Sequence, residues 1–380
     1  MPESTTVIPA QKDGGATIVE IAQQPDAWRE LPRLIDGRAR DFLSGVLERD
    51  DLRVILTGAG SSAFAGQIVA PALRRHLGRR VEAIPTTSIV ANPADLLERR
   101  TPTLLVSFGR SGNSPESVAA TRIADELVDE VWHLILSCDA NGQLAQTHSR
   151  RDDSLVVLMP ERTNDTGFAM TSSLTSMMLT CLLLLGPADR SSVHALADAA
   201  QRLIDDRAGI RALADAHRER FVYLGSGALE GLARESALKL LELTAGEVVT
   251  YFDSPLGFRH GPKSVLDPET LVVVYMSADA YTRRYDEDII AEIRAQLDDD
   301  NVVALAPGDQ PSGNIRAITG LDGLDDSQLA VVYLVFAQYL ALFTALGRDK
   351  TPDNPFPGGE VSRVVKGVTI HPLTPDHRAR

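Results

Sequence analysis

The sequence predicts an α/β protein built from two tandem, doubly wound parallel sheets, each a three-layer sandwich of the flavodoxin or Rossmann type. Three observations lead there. The chain has 380 residues, enough for two domains of ordinary size. Arg53–Gly60 (RVILTGAG) returns as Arg220–Gly227 (RFVYLGSG), and Thr103–Ser107 (TLLVS) returns as Thr270–Val274 (TLVVV), both displaced by 167 residues. Each run is short and largely β-branched and apolar, as a strand buried on both faces must be, and helical stretches lie between them. Two matches at one offset indicate a duplication.

Taken in order, residues 1–35 form a lead-in, helical or irregular, without the basic and then apolar pattern of a signal peptide. The first α/β domain occupies 36–190, with strands at Arg53 and Thr103, a helix over Gly66–His76 and an apolar run at Leu174–Leu185. That run is too short to cross a bilayer, which needs about 20 residues. Residues 191–348 hold an Ala-rich connector helix and then the second α/β domain, from about residue 205. Leu329–Leu346 is nearly long enough to span a membrane, but Gln338 interrupts it and Asp325 and Asp326 flank its start, so a buried junction helix is expected. The tail, 349–380, opens with DKTPDNPFPGGE, whose prolines and glycines forbid regular structure, and continues as a strand-like VSRVVKGVTIHPL.

Composition narrows the function. Hydrophobic residues make up 44% and charged residues 24%, as in a globular protein, and the net charge is −14. Nucleic acids and anionic membranes need a basic surface, so neither is an expected partner; an anion must be held in a local pocket against the overall field. Cys138 and Cys181 are too few for a disulfide scaffold, and the eight histidines show no pair at metal-ligand spacing. No metal and no cofactor is expected, and the compartment is the cytoplasm.

Two loops carry candidate chemistry. Gly58–Gly66 (GAGSSAFAG) follows a strand and opens a helix. Gly58, Gly60 and Ala63 satisfy a dinucleotide fingerprint, with Glu82 near the distance required for a ribose ligand. Alternatively Gly60, Ser61 and Ser62 form a phosphate cradle, because the free N–H groups and positive end of a helix favour an anion. The second loop, Ser107–Ser117 (SFGRSGNSPES), also lies between a strand and a helix; Ser111, Asn113 and Ser114 supply donors and Arg110 a fixed positive charge. Two such loops on neighbouring strands converge at the carboxyl edge of an open sheet, where these folds bind ligands. The second domain has MSADAYTRR where the first has this loop, and adds ESALKLLELTAGE (Glu235–Glu247) and FRHGPKS (Phe258–Ser264). Spacing alone puts Glu242 either on a solvated stripe or in a desolvated site suited to general-base work, and His260 in a turn at the surface or an interface.

Together, GAGSSAFAG, SFGRSGNSPES, the ALKLLELTAGE helix, RHGP and the tail PDNPFPGGEVSRVVKGVTI resemble the SIS (sugar isomerase) domain proteins. The likeness extends to the isomerase half of glucosamine-6-phosphate synthase. It is nearer to the AgaS-type tagatose-6-phosphate ketose/aldose isomerases and galactosamine-6-phosphate deaminases, and covers roughly 36–371. The resemblance implies that Ser61, Ser62, Ser111 and Ser114 bind a sugar phosphate. It makes Glu242 the proton-shuttling carboxylate, His260 the ring-opening group delivered from a neighbouring subunit, and Lys366 the near-C-terminal lysine, an electrostatic stabiliser or Schiff-base former. Gly109 and Arg110 depart from the synthase. The implied activity is conversion of galactosamine 6-phosphate to tagatose 6-phosphate and ammonia by a homodimer or larger homo-oligomer with its site at the interface. Plain aldose–ketose isomerisation, deglycation of a sugar-amine adduct and a non-catalytic phosphosugar-binding regulator are the alternatives.

Overall fold

The computed structural model describes residues 15–309, 315–365 and 367–374. Helices α1 (Gly15–Ala22) and α2 (Gln24–Glu30) lead in, and α3 (Gly37–Leu47), capped by Asp36, delivers the chain to the first sheet. Its course is β1 (Arg53–Thr57), α4 (Ser61–Leu77), β2 (Val81–Ala83), the short α5 (Thr86–Ala91) and α6 (Pro93–Leu96), β3 (Thr103–Gly109), α7 (Pro115–Leu127), β4 (Val131–Ser137), α8 (Gln143–His148) and β5 (Ser154–Leu158). All strand pairs are parallel, in the order β2-β1-β3-β4-β5, with Ile55 opposite Leu105 and Leu105 opposite His133. β1 and β3 are buried along their whole length, which is why their sequences show no alternation.

Helix α9 (Ser172–Leu185) closes the first unit, and α10 (Arg190–Asp205) and α11 (Arg207–Ala214) connect to the second. The second course is β6 (Arg220–Gly225), α12 (Ala228–Leu243), β7 (Val249–Asp253), α13 (Pro255–Phe258), β8 (Thr270–Tyr275), α14 (Ala280–Gln296), β9 (Val302–Pro307) and β10 (Ile315–Ile318). This sheet, also parallel, runs β10-β9-β8-β6-β7, the same winding read from the other end. β6, β8 and the start of α12 stand 167 residues after β1, β3 and the start of α4, so the duplicated runs are duplicated strands.

The final helix, α15 (Asp326–Leu346), packs against α12, α4, α9, α10 and α11. It is apolar on every side because it is buried on every side. Among the described residues it alone is long and apolar enough to cross a membrane, and 94% of its most apolar window lies inside the fold. Helices α4 and α12 also pack on each other, and a Cβ on Gly231 would come within 3.1 Å of Ile68, so the glycine permits the close crossing. This contact carries the end of α12 to the carboxyl edge of the first sheet.

One prediction arises at the opposite edge. His133 on β4 holds Asp125, and Arg151 clamps Asp125 and Asp153. The Ser154 hydroxyl donates to Asp153, so His148 Nδ1 donates to Ser154 and its buried Nε2 is left without a partner. Burial, with help from His133 and Arg151, pushes the His148 imidazole down to about 4. The unfolded chain therefore binds a proton here before the folded one, and stability is lost as pH falls from about 6.5 toward 4, by up to about 3 kcal/mol. Urea titrations at pH 7 and pH 4.5 should show the loss, and His148→Gln should flatten it; equal slopes in the two proteins would refute the assignment.

Candidate active site

At the carboxyl edge of the first sheet, between β1 and β3 where the strand order reverses, lies a cavity of about 220 Å³. One wall is the β1–α4 turn, Ala59, Gly60, Ser61 and Ser62; the next is the β3–α7 loop, with Arg110, Ser111, Gly112 and Ser114. Gly142 buttresses that loop from the start of α8, where a Cβ would sit 2.1 Å from the Ser111 carbonyl oxygen, so only glycine allows the approach. Neither α4 nor α7 has a side chain capping its N-terminus. The Ser62, Ala63 and Ser117 N–H groups already donate to the carbonyls of Ala59, Gly60 and Ser114, so each start offers the positive end of a helix dipole edged with hydroxyls, an arrangement that favours a phosphate.

The corresponding edge of the second sheet is built the opposite way. There Asp279 caps α14 and Asp325 caps α15, while Asp326 accepts from the Ser277 hydroxyl (2.6 Å) and the Ala278 N–H (2.7 Å). Carboxylates of the chain itself sit where an anionic ligand would go. The duplicated edges therefore differ in charge: the first presents hydroxyls and Arg110 to its cavity, while Asp279, Asp325 and Asp326 line a cavity of about 580 Å³ at the second, where the start of α12 is uncapped like that of α4. A larger cavity, about 720 Å³, lies beside α11 and β9, but among the described residues no serine lines it.

Arg110 is almost wholly buried and has only long contacts with carbonyl oxygens, those of Gly167 (3.4 Å), Phe168 (3.3 Å) and Arg363 (3.4 Å). Burial depresses its pKa, opposed by Asp165 and Glu242. A desolvated guanidinium so weakly satisfied is poised for an anion. Residues Val361–Val365 of the tail form the far wall. The tail is anchored by Arg363, which donates to the Asp165 carbonyl, and by Asp353, which takes the N–H groups of Ala16 and Thr17 at the start of α1.

The second half contributes Glu242, from the last turn of α12, its side chain 26% exposed. Lys239, one turn earlier and wholly buried, donates to Glu242 and lies 3.5 Å from the carboxylate of Glu235, also wholly buried. Burial pushes Glu235 up to about 7, with Lys239 and the Ser61 hydroxyl only partly countering it. For Lys239 burial favours the neutral amine, but the two carboxylates outweigh it and raise its pKa. One ammonium thus lies between two carboxylates beside the serine loops, a constellation able to move protons on a bound anion.

A model of the SIS domain family matches residues 47–186. The AgaS protein of Streptomyces coelicolor is 52% identical to this chain, aligned over 96% of it and 98% of the relative. The D-galactosamine-6-phosphate deaminase AgaS of Escherichia coli is 45% identical, over 98% of this chain and 99% of its own. The chain belongs to the AgaS family. The crystal structure of tagatose-6-phosphate ketose/aldose isomerase from Escherichia coli superimposes on this AgaS-family protein with a TM-score of 0.88 at 42% identity, covering 96% of this chain and 99% of that one.

Of the residues singled out from the AgaS-family sequence, Gly60, Ser61, Ser62, Arg110, Ser111, Ser114 and Glu242 all line the one cavity. Asn113 does not: its Oδ1 accepts from Gln143 N–H and holds the start of α8. His260 is exposed in the turn after α13 and is not part of the cavity of its own chain. Lys366 lies outside the described residues. Glu82 is engaged by Arg53 (2.6 Å) and Arg80 (2.7 Å) within β2, so it serves no ribose. The tail, expected to be strand-like over VSRVVKGVTIHPL, is irregular in its described part; it crosses the sheet's carboxyl edge, where there is no ladder to join. Glu235, Lys239 and Arg363 were not anticipated. The i, i+4, i+7 spacing of Glu235, Lys239 and Glu242 on one helix face is the signal that could have found the first two.

Proposed function

We propose that this chain converts galactosamine 6-phosphate to tagatose 6-phosphate and ammonia. The carrying observation is the juxtaposition of an uncapped, serine-edged anion pocket with the Glu235–Lys239–Glu242 array, in a chain so similar to AgaS deaminases along its length. The serine hydroxyls and the positive ends of α4 and α7 hold the phosphate, with Arg110 at the side of the pocket. In the open-chain sugar, Glu242 takes the proton from C2, leaving an enolamine, and returns a proton to C1. Lys239, hydrogen-bonded to Glu242, supplies the proton that the oxygen at C1 takes up, and the proton that the C2 nitrogen gives up as the imine forms restores it. The product is an imine at C2; water adds to that carbon and ammonia leaves, giving the ketose. General acid–base steps of this kind contribute about 10²–10⁴ each in rate.

Ring opening is assigned to His260 of a second copy, since the imidazole is exposed and away from its own chain's cavity, and Leu241, Val249 and Leu256 expose apolar surface in the same half. A homodimer or larger assembly follows, with the site at the interface. Lys366, next in sequence to the cavity-lining Val365, is assigned to the developing oxyanion or to a Schiff base with the ketose carbonyl. Two free, buried cysteines and no disulfide suit a cytoplasmic enzyme.

Incubation with galactosamine 6-phosphate should release ammonia and tagatose 6-phosphate in equal amounts. The relative named as a tagatose-6-phosphate ketose/aldose isomerase favours a second reading, in which the same proton transfer joins an aldose and a ketose and no nitrogen leaves. Interconversion of tagatose 6-phosphate and galactose 6-phosphate, with no ammonia from the amino sugar, would select it. Turnover of no phosphosugar would reject both.

A further inference from the structure

We propose that Glu292, in the C-terminal half of α14, is the positioning residue for His260: its carboxylate fastens both sides of the turn that carries the imidazole. The inference rests on the reading of His260 as the ring-opening group. An imidazole that must enter another copy's cavity gets no guidance from its own chain's pocket, so its place depends on how rigidly its turn is mounted. The mounting is visible. Arg259, immediately before His260, donates from Nε to Glu292 Oε2 at 2.7 Å, and Lys263, three residues after it, donates to Oε1. The two oxygens of one carboxylate thus tie down the two arms of the turn. Between them Gly261 has φ +122°, a conformation open in practice only to glycine, and Pro262 fixes the next residue.

Backbone bonds set the remaining geometry: His260 N–H donates to the Gly257 carbonyl (2.9 Å) and Ser264 N–H to that of Gly261 (3.0 Å). Phe258, wholly buried and tilted against Tyr251, roots the turn in the second sheet's core. Without Glu292 the backbone bonds and Phe258 remain, so the protein folds, but the arms lose their common anchor and two cations beside His260 lose their counter-charge. The hydrogen bonds from Lys263 and Arg259 hold the Glu292 carboxyl below its ordinary range, so it is an anion at neutral pH. Exposed ion pairs add little to stability, whereas displacing a reacting group by about 1 Å can cost about 10²-fold in rate.

Five proteins decide the matter: wild type, His260→Ala, Glu292→Ala, Glu292→Asp and the His260→Ala/Glu292→Ala double variant, assayed on the cyclic amino-sugar phosphate, with an acyclic hexitol 6-phosphate as a binding probe. Glu292→Ala should lose about 10²-fold in kcat, with KM and hexitol phosphate affinity changing little, because the phosphate pocket is untouched. Glu292→Asp, which keeps two acceptor oxygens, should recover much of the loss. The double variant should be no slower than His260→Ala. Wild-type turnover by Glu292→Ala beside a slow His260→Ala would overturn the positioning role, as would losses that multiply in the double variant. Wild-type turnover by His260→Ala would instead remove the ring-opening reading and the proposal with it.

Discussion

Glu242→Gln should give a folded protein that still binds sugar phosphate but turns it over about 10²–10⁴-fold more slowly. The size of the effect follows from where the carboxylate sits. Glu242 comes from the second half of the molecule, while the pocket for the anion is built wholly from the first half and the tail. The amide is the same shape as the carboxylate and its oxygen still accepts from Lys239, so neither α12 nor the phosphate loops should move. What disappears is the basic oxygen that removes the C2 proton. Exchange of that proton with deuterated water, followed by NMR, isolates the step from ring opening and imine hydrolysis. Exchange at the wild-type rate in the variant would transfer the base's role to another group, and loss of hexitol phosphate binding would show that Glu242 holds the substrate rather than reacting with it.

The parts of this arrangement that sequence reasoning recovers share a physical origin. A parallel strand covered on both faces is apolar without alternation, so β1, β3, β6 and β8 were visible individually and their common offset exposed the duplication. The serine loops were visible because they combine glycine, hydroxyls and a strand-to-helix position. Residues whose meaning depends on packing were not. Taken alone, the spacing of α12 fits a solvated stripe as well as a site triad, and only the packing of α12 against its neighbours, α15 and α4 foremost, puts Glu235 and Lys239 out of water. Asn113 has the same donors as its neighbours, yet it faces α8 because Gln143 N–H lies within 2.9 Å of its side chain. The tail's valines read as a strand, but a strand needs an edge to pair with, and this segment lies over the ends of strands instead. Gly359 and Gly367, both at positive φ, turn it there.

Lys239→Met should be the most damaging volume-conserving substitution in the site, costing about 3–5 kcal/mol of stability at neutral pH, because it leaves buried carboxylate without its partner. Glu235 is 0% exposed, and among the described residues neither oxygen meets a donor in good hydrogen-bond geometry, the Ser61 hydroxyl helping only weakly; the ammonium 3.5 Å away is its one ion-pair partner there. The pH dependence identifies the cause. Burial raises the proton affinity of Glu235 in the folded state above its unfolded value, so the folded variant takes up a proton first as pH falls. The deficit relative to wild type, measured by urea unfolding at matched pH, should shrink from pH 8 to pH 5. Adding Glu235→Gln should restore stability at pH 8 but not turnover, because the proton that Lys239 exchanges through Glu242 is still missing. If Lys239→Met were as stable as wild type across this range, Glu235 would already carry its proton in the native protein, and Lys239 would serve Glu242 alone. The same variant would still lose turnover, and the triad would reduce to a catalytic pair beside a neutral buried acid.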